Sequence, residues 1–198
     1  MRLMSFAFVK WVLGFSLLGV HFTAAQSLVG KEINCGGSHY YFGQNQIYYV
    51  EGLAKGQSIL GNGFDENKYS FHVPYDGKWH LVRTFDCRAQ TEVCEKERMR
   101  VSKIKGGYKV EFTTDLKVMK NVTSDPGLSA VIFYTLRDHQ IRIQKGYRAT
   151  AMISQKIVGP THSTTYTYSD SLGNSFKNNL WRSMGAKSLN RRKCSYVQ

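Results

Sequence analysis

Cys35, Cys87, Cys94 and Cys194 are the residues of this chain whose type and number point most directly to chemistry. Four thiols in an oxidising compartment read as two disulfides, with three pairings open. The pairing Cys35–Cys194 with Cys87–Cys94 is favoured. Its second bridge closes the short loop "CRAQTEVC", which suits a hairpin tip. Its first ties the two ends of a domain, a closure worth roughly 5 kcal/mol in the chain-entropy picture. Metal ligation is the competing use of these thiols. It is weak, because no CxxC pair and no histidine pair at ligand spacing accompanies them. No metal and no cofactor is expected.

An oxidising compartment fits the N-terminus. Arg2 and Lys10 flank a stretch rich in Phe, Val, Trp, Leu and Gly, and Thr23-Ala24-Ala25 supplies the small residues that signal peptidase reads. Residues 1–25 are read as a signal peptide. The apolar run is shorter than the roughly 20 residues of a spanning helix, so no membrane anchor is expected. Cleavage after Ala25 leaves 173 of the 198 residues as one domain, 26–198, secreted and monomeric. Of 27 basic and 14 acidic residues the leader holds two basic ones, which leaves a charge of +11. Such a field draws polyanions without choosing among RNA, DNA, lipid and cell-wall polymer.

The elements that must position any site follow from hydrophobic period. In "GQNQIYYVEGLAK" Ile47, Val50 and Ala54 recur at helical spacing, which predicts a helix of about three turns stopped by Gly56. From Lys78 the period becomes two. "KWHLVRTF" sets Trp79, Leu81, Arg83 and Phe85 on one face of a strand, and "MRVSKI" and "YKVEFTTDL" meet at Gly106-Gly107 as a hairpin. "SAVIFYTL" and "QIRIQKGY" predict a second hairpin. After about Thr150 the stretch "GPTHSTTYTYSDSLGNSFKNN" shows no sustained period, so a long irregular segment is expected over about 150–190. The sum is an α+β domain, one N-terminal helix packed on a central antiparallel sheet.

Local sequences carry a resemblance. "CGGSHYYFGQNQI", "NKYSF" and "AVIFY...QIRIQKG" occur in the order and spacing of the fungal guanyl-specific ribonucleases, and the chain more closely resembles the ribonuclease-like secreted effectors of powdery mildew fungi. The likeness covers roughly residues 33–150 and is intermittent to Cys194. It departs from the effectors at Ile33, where they carry an aromatic residue. The resemblance implies a disulfide-closed microbial ribonuclease-like fold.

It also implies positions for catalysis. Cleaving RNA through the 2′-hydroxyl needs a base, an acid and a guanidinium against the phosphate. The positions that resemble the family's catalytic ones hold Asp65, Asn67, Lys78, Ala130 and Gln144. Asn and Gln move no protons near neutral pH and Ala braces no phosphate, so the expectation is a pseudoenzyme. Glu66, His72, His80 and Arg83 are close enough in sequence to rebuild a displaced site. An active ribonuclease built on them is therefore the alternative, and a polysaccharide-binding module is the third.

Without catalysis a basic surface remains. The resemblance places Lys78, Arg142, Lys145 and Arg148 near the former substrate face, with Tyr69 and Trp79 as stacking platforms, so RNA, the ribosome or a host protein is the expected partner of a secreted effector. Asn121 opens an Asn-Val-Thr glycosylation sequon. Glu95–Arg100 mixes both signs and reads as a solvated strand.

Overall fold

The computed structural model describes residues 28–35, 37–54, 56–62, 70–85, 87–88, 90–122, 143–159, 161–183 and 194–197, with the side chains of 62 and 180–183 excepted. The leader, Asp65, Glu66, Asn67, Tyr69, Ala130, Arg142 and most of the second predicted hairpin lie outside them.

Two antiparallel sheets make up the described fold. Sheet A joins β1 (Glu32–Cys35), β2 (Ser38–Phe42), β3 (Gln46–Glu51), β4 (Ser70–Pro74) and β11 (Cys194–Tyr196) in the order β11-β1-β2-β3-β4. Sheet B is a meander of β5 (His80–Phe85), β6 (Val93–Ile104), β7 (Gly107–Val118), β8 (Arg148–Val158), β9 (Thr161–Asp170) and β10 (Ser175–Ser183). Helix among the described residues is one turn, α1 (Ile59–Asn62).

This overturns the α+β expectation and, with it, the ribonuclease-like scaffold. The segment read as a helix is β3, whose Ile47 and Tyr49 enter the space between the sheets. Val50 is buried as well, on the opposite side of β3. Burial on both faces is what counterfeited a helical spacing, while Ile, Val and two Tyr in six residues are strand formers. The Ser/Thr-rich stretch, read as a loop, is the β9–β10 hairpin. Thr161, Ser163, Thr165 and Thr167 occupy one side of β9 and His162, Thr164 and Tyr168 the buried side, so the alternation exists without apolar residues to mark it. The Asp170 carboxylate accepts the N–H groups of Leu172 and Asn174, each at 2.9 Å, and Gly173 takes φ 84° to close the turn.

The β6–β7 hairpin is where the sequence put it. Gly106 has φ 78°, and a Cβ on Gly107 would stand 1.8 Å from the Ile157 carbonyl oxygen of β8, so no other residue fits at 107. Both predicted disulfides are present, Cys35–Cys194 joining β1 to β11 and Cys87–Cys94 bracing the loop before β6.

The main core lies between the sheets. Ile33, Tyr40, Phe42, Ile47, Tyr49 and Val73 of sheet A meet Met99, Val101, Tyr108, Val110 and Ile157 of sheet B. Strands of 11 or 12 residues in sheet B outrun the four to six of β1 to β4. A second cluster of Val93, Leu116, Val118, Tyr147, Ala149, Ala151 and Tyr168 fills the far part of the same face. The other face of sheet B carries the strands' charged and hydroxyl side chains.

Candidate functional site

Register assigns the outer face of sheet B residue by residue, because side chains alternate and directly paired residues point the same way. Met99 pairs with Phe112 and Val110 with Gln155 on the inner face. The positions between them face out: Lys96, Arg98 and Arg100 on β6; Lys109, Glu111, Asp115 and Lys117 on β7; Arg148, Thr150, Met152 and Lys156 on β8; Thr165 and Thr167 on β9; Lys177 on β10.

Some of these cations are neutralised locally. Arg98 is bridged to Asp115. Glu111 is buried although it faces out, since Arg100 donates to it from Nε at 2.8 Å and Lys109 Nζ approaches at 2.6 Å. The guanidinium of Arg100 lies 4.5 Å from the centre of the Trp79 ring, which caps this pair at the sheet edge.

The other cations are not. Lys96, Lys117, Arg148, Lys156 and Lys177 are exposed, and no carboxylate among the described residues is bridged to them. Register adds to this, because Lys117 stands directly opposite Arg148, and Lys156 directly opposite Lys109, whose charge Glu111 already takes up. Like charges at such positions destabilise a sheet. Both pairs are four residues from Thr113 and Met152, themselves paired. Around that midpoint runs a trough of about 460 Å³ lined by Thr113, Thr150, Met152, Thr167, Ser169, Ser175 and Lys177, with Tyr168 and Phe176. The two register pairs are thus about 27 Å apart along the strands, one at each end of the trough.

Of the sequence-predicted binding residues, Trp79 and Arg148 belong to this face. Lys78 is exposed beside Trp79, its N–H held by Asp76 Oδ1 at 2.9 Å. Lys145 is exposed in the turn that leads to β8, and its N–H donates to Asn121 Oδ1 at 3.3 Å. Gln144 is exposed in the same turn. Sequence reasoning missed Arg100, Lys109, Lys117 and Lys156. The signal was there: Lys109 and Lys117 share the eight-residue spacing of Arg148 and Lys156, which in neighbouring strands sets four cations at two places.

Of the residues proposed for a displaced catalytic site, Glu66 lies outside the described residues, and His72, His80 and Arg83 have different surroundings. His72 points from the outer side of sheet A, beside Tyr48. His80 Nε2 is paired with Asp76 at 3.0 Å, and that contact is the main reason the Asp76 carboxyl sits below its ordinary pKa. Arg83 does not share a face with Trp79 and Leu81 as the strict alternation predicted. A bulge between Leu81 and Arg83 turns it inward, where it bonds Glu97 at 2.7 Å and Val82 joins the core. Burial works against the Arg83 cation, but Glu97, with Glu51 and Glu95 nearby, holds its pKa above the usual value.

A buried carboxylate–imidazole pair exists elsewhere, on the outer side of sheet A beneath the α1 segment. Glu32 Oε1 is 2.6 Å from His39 Nδ1, and its two oxygens accept the Ile59 N–H at 3.1 and 2.9 Å. Asn34 Oδ1 accepts the Gly37 N–H, so its amide nitrogen must donate to His39 Nε2 at 2.7 Å. Both ring nitrogens are occupied and the ring is 1% exposed, so this pair is a structural clamp.

Comparison with family models, curated proteins and solved structures finds no match to this chain. No helix among the described residues is long and apolar enough to cross a membrane.

Proposed function

We propose that this protein works by binding and not by catalysis, holding single-stranded RNA along the outer face of sheet B. The observation that carries the reading is the like-charge register pair Lys117 opposite Arg148, with the exposed Lys156 eight residues along β8 from Arg148 and opposite Lys109, whose charge Glu111 takes up. The Lys117–Arg148 pair weakens the free sheet and is relieved when an anion lies between the two cations. An extended polyanion spanning about 27 Å meets both pairs and the trough between them. Trp79 and Leu81, exposed at the edge beside Arg98 and Arg100, offer bases an apolar surface.

The secreted interaction protein expected from the sequence is kept in this reading, and the ribonuclease scaffold is not. Two disulfides support action in an oxidising, extracellular setting. The lack of catalysis is supported by the separate partners of His72, His80 and Arg83.

The test is fluorescence anisotropy of a labelled single-stranded RNA of about 20 nucleotides, with the RNA run on a gel afterwards. Neutralising four phosphates gives a slope of about −3 in log affinity against log salt. Replacing Arg148 and Lys156 together by Glu lowers affinity at least tenfold. Affinity that ignores salt, or that survives this double replacement, overturns the reading. So does RNA cleaved by the pure protein, if His72→Ala or His80→Ala abolishes the cleavage.

A further inference from the structure

Cys35 and Cys194 pair across β1 and β11 of sheet A, and a histidine from the other sheet meets them. His162 of β9 points its Nδ1 at Cys194 Sγ, 3.4 Å away, and the three ligand atoms lie within 4.8 Å of one another. All three residues are at least 98% buried. A tetrahedral ion about 2.3 Å from sulfur and about 2.05 Å from nitrogen requires roughly 3.6 Å between those atoms. The existing sulfur to nitrogen separation is therefore close to a ligand edge.

We propose that this clasp is a latent Cys-Cys-His site for a thiophilic divalent cation of the zinc type, opened by reduction of the Cys35–Cys194 bond. A dithiol reductant gives two electrons and two protons to the disulfide and leaves as its own cyclic disulfide. The ion then replaces the two thiol protons, which go to solvent, and His162 binds through Nδ1 as the neutral ring. The three-residue strand β11 provides access, since among the described strands it pairs only with β1.

Two further features fit a ligand histidine. His162 Nε2 lies 3.3 Å from Thr164 Oγ1, so the ring can donate to a second residue that fixes its tautomer while Nδ1 holds metal. Thr164 pairs directly with Gln155, whose Oε1 is buried without a hydrogen-bond partner. Register therefore points Thr164 and Gln155 to the same buried side of sheet B, an unused acceptor beside the residue that holds the ring. The sequence hides the site because its ligands are 127 and 32 residues apart.

The experiment uses Cys87→Ser/Cys94→Ser protein, so that the thiols in question are the only ones, reduced and titrated with cobalt(II) without oxygen. One equivalent of cobalt should saturate a thiolate-to-cobalt charge-transfer band, and zinc should displace it. The oxidised protein should give no band. His162→Ala should weaken cobalt binding at least tenfold, and Thr164→Val, which leaves all three ligands in place, severalfold. Circular dichroism before reduction reports whether each variant is folded. Saturation without charge transfer, or unchanged affinity in a folded His162→Ala protein, overturns the site. Reduced protein that loses its β signal and does not regain it with metal also overturns it.

Discussion

Lys117 on β7 stands directly opposite Arg148 on β8, two exposed cations in one cross-strand pair. A sheet selected for stability alone would place opposite charges there. Function and stability are therefore set against each other at this pair. Lys117→Glu should raise unfolding free energy by about 0.5–1 kcal/mol in urea titrations, while lowering affinity for single-stranded RNA. A variant that loses both stability and affinity, or neither, would remove the link.

Glu111 is a buried carboxylate on a face open to water, kept there by Arg100 and Lys109. Arg100→Met removes its main partner and uncovers Trp79. Because the Arg100 side chain is itself about one third exposed, the loss should be about 2 kcal/mol, below that of a fully buried pair. Adding Glu111→Gln to Arg100→Met should recover part of it, since the charge left behind is what costs. Chemical denaturation of the two single variants and the double reads the coupling.

Glu32 holds two elements at once, the His39 ring of β2 and the backbone of α1. Glu32→Ala orphans both donors in a buried place and should cost about 3–5 kcal/mol. Amide exchange at Ile59 should speed up ahead of exchange in β2, and uniform acceleration would argue against a clamp that acts on α1.

The hydroxyls of Tyr147 and Tyr168 both reach Asp170 Oδ2, at 3.0 and 3.1 Å. Burial pushes Tyr168 up to about 12, and burial with the Tyr168 contact pushes Tyr147 higher still. Raised folded values mean that the unfolded chain releases these protons first, so their contribution is intact below about pH 10 and declines above it. Burial alone would raise Asp170, but the side chain and N–H of Asn174, with Tyr147 and the Leu172 N–H, hold it below the ordinary value. Its contribution is present above about pH 4 and is lost as pH falls through the folded pKa. Stability followed from pH 2 to 12 should fall at both ends. Asp170→Asn should flatten the acid limb, and Tyr147→Phe the alkaline one.

Several parts of this protein were legible as sequence. The disulfide partners could be chosen because one bridge closed a very short loop and the other spanned the domain. The β6–β7 turn was marked by Gly106-Gly107, where backbone geometry admits few other residues. The charge excess was plain from composition. These are local or countable properties, and they need no knowledge of what packs on what.

Other features were decided only when the sheets came together. Val50 turned a strand into an apparent helix because it is covered on the side of β3 away from Ile47 and Tyr49, and no window of sequence shows that cover. The β9–β10 hairpin buries His162 and Thr164 where an apolar pattern would have announced a strand. One extra residue at the Leu81–Arg83 bulge sent Arg83 to the face opposite Trp79. The paired cations and the Cys35–Cys194–His162 cluster exist through register and through the approach of separate strands. Sequence fixes which side chains a strand carries, but pairing and packing set which ones meet, because those depend on contacts made across the whole chain.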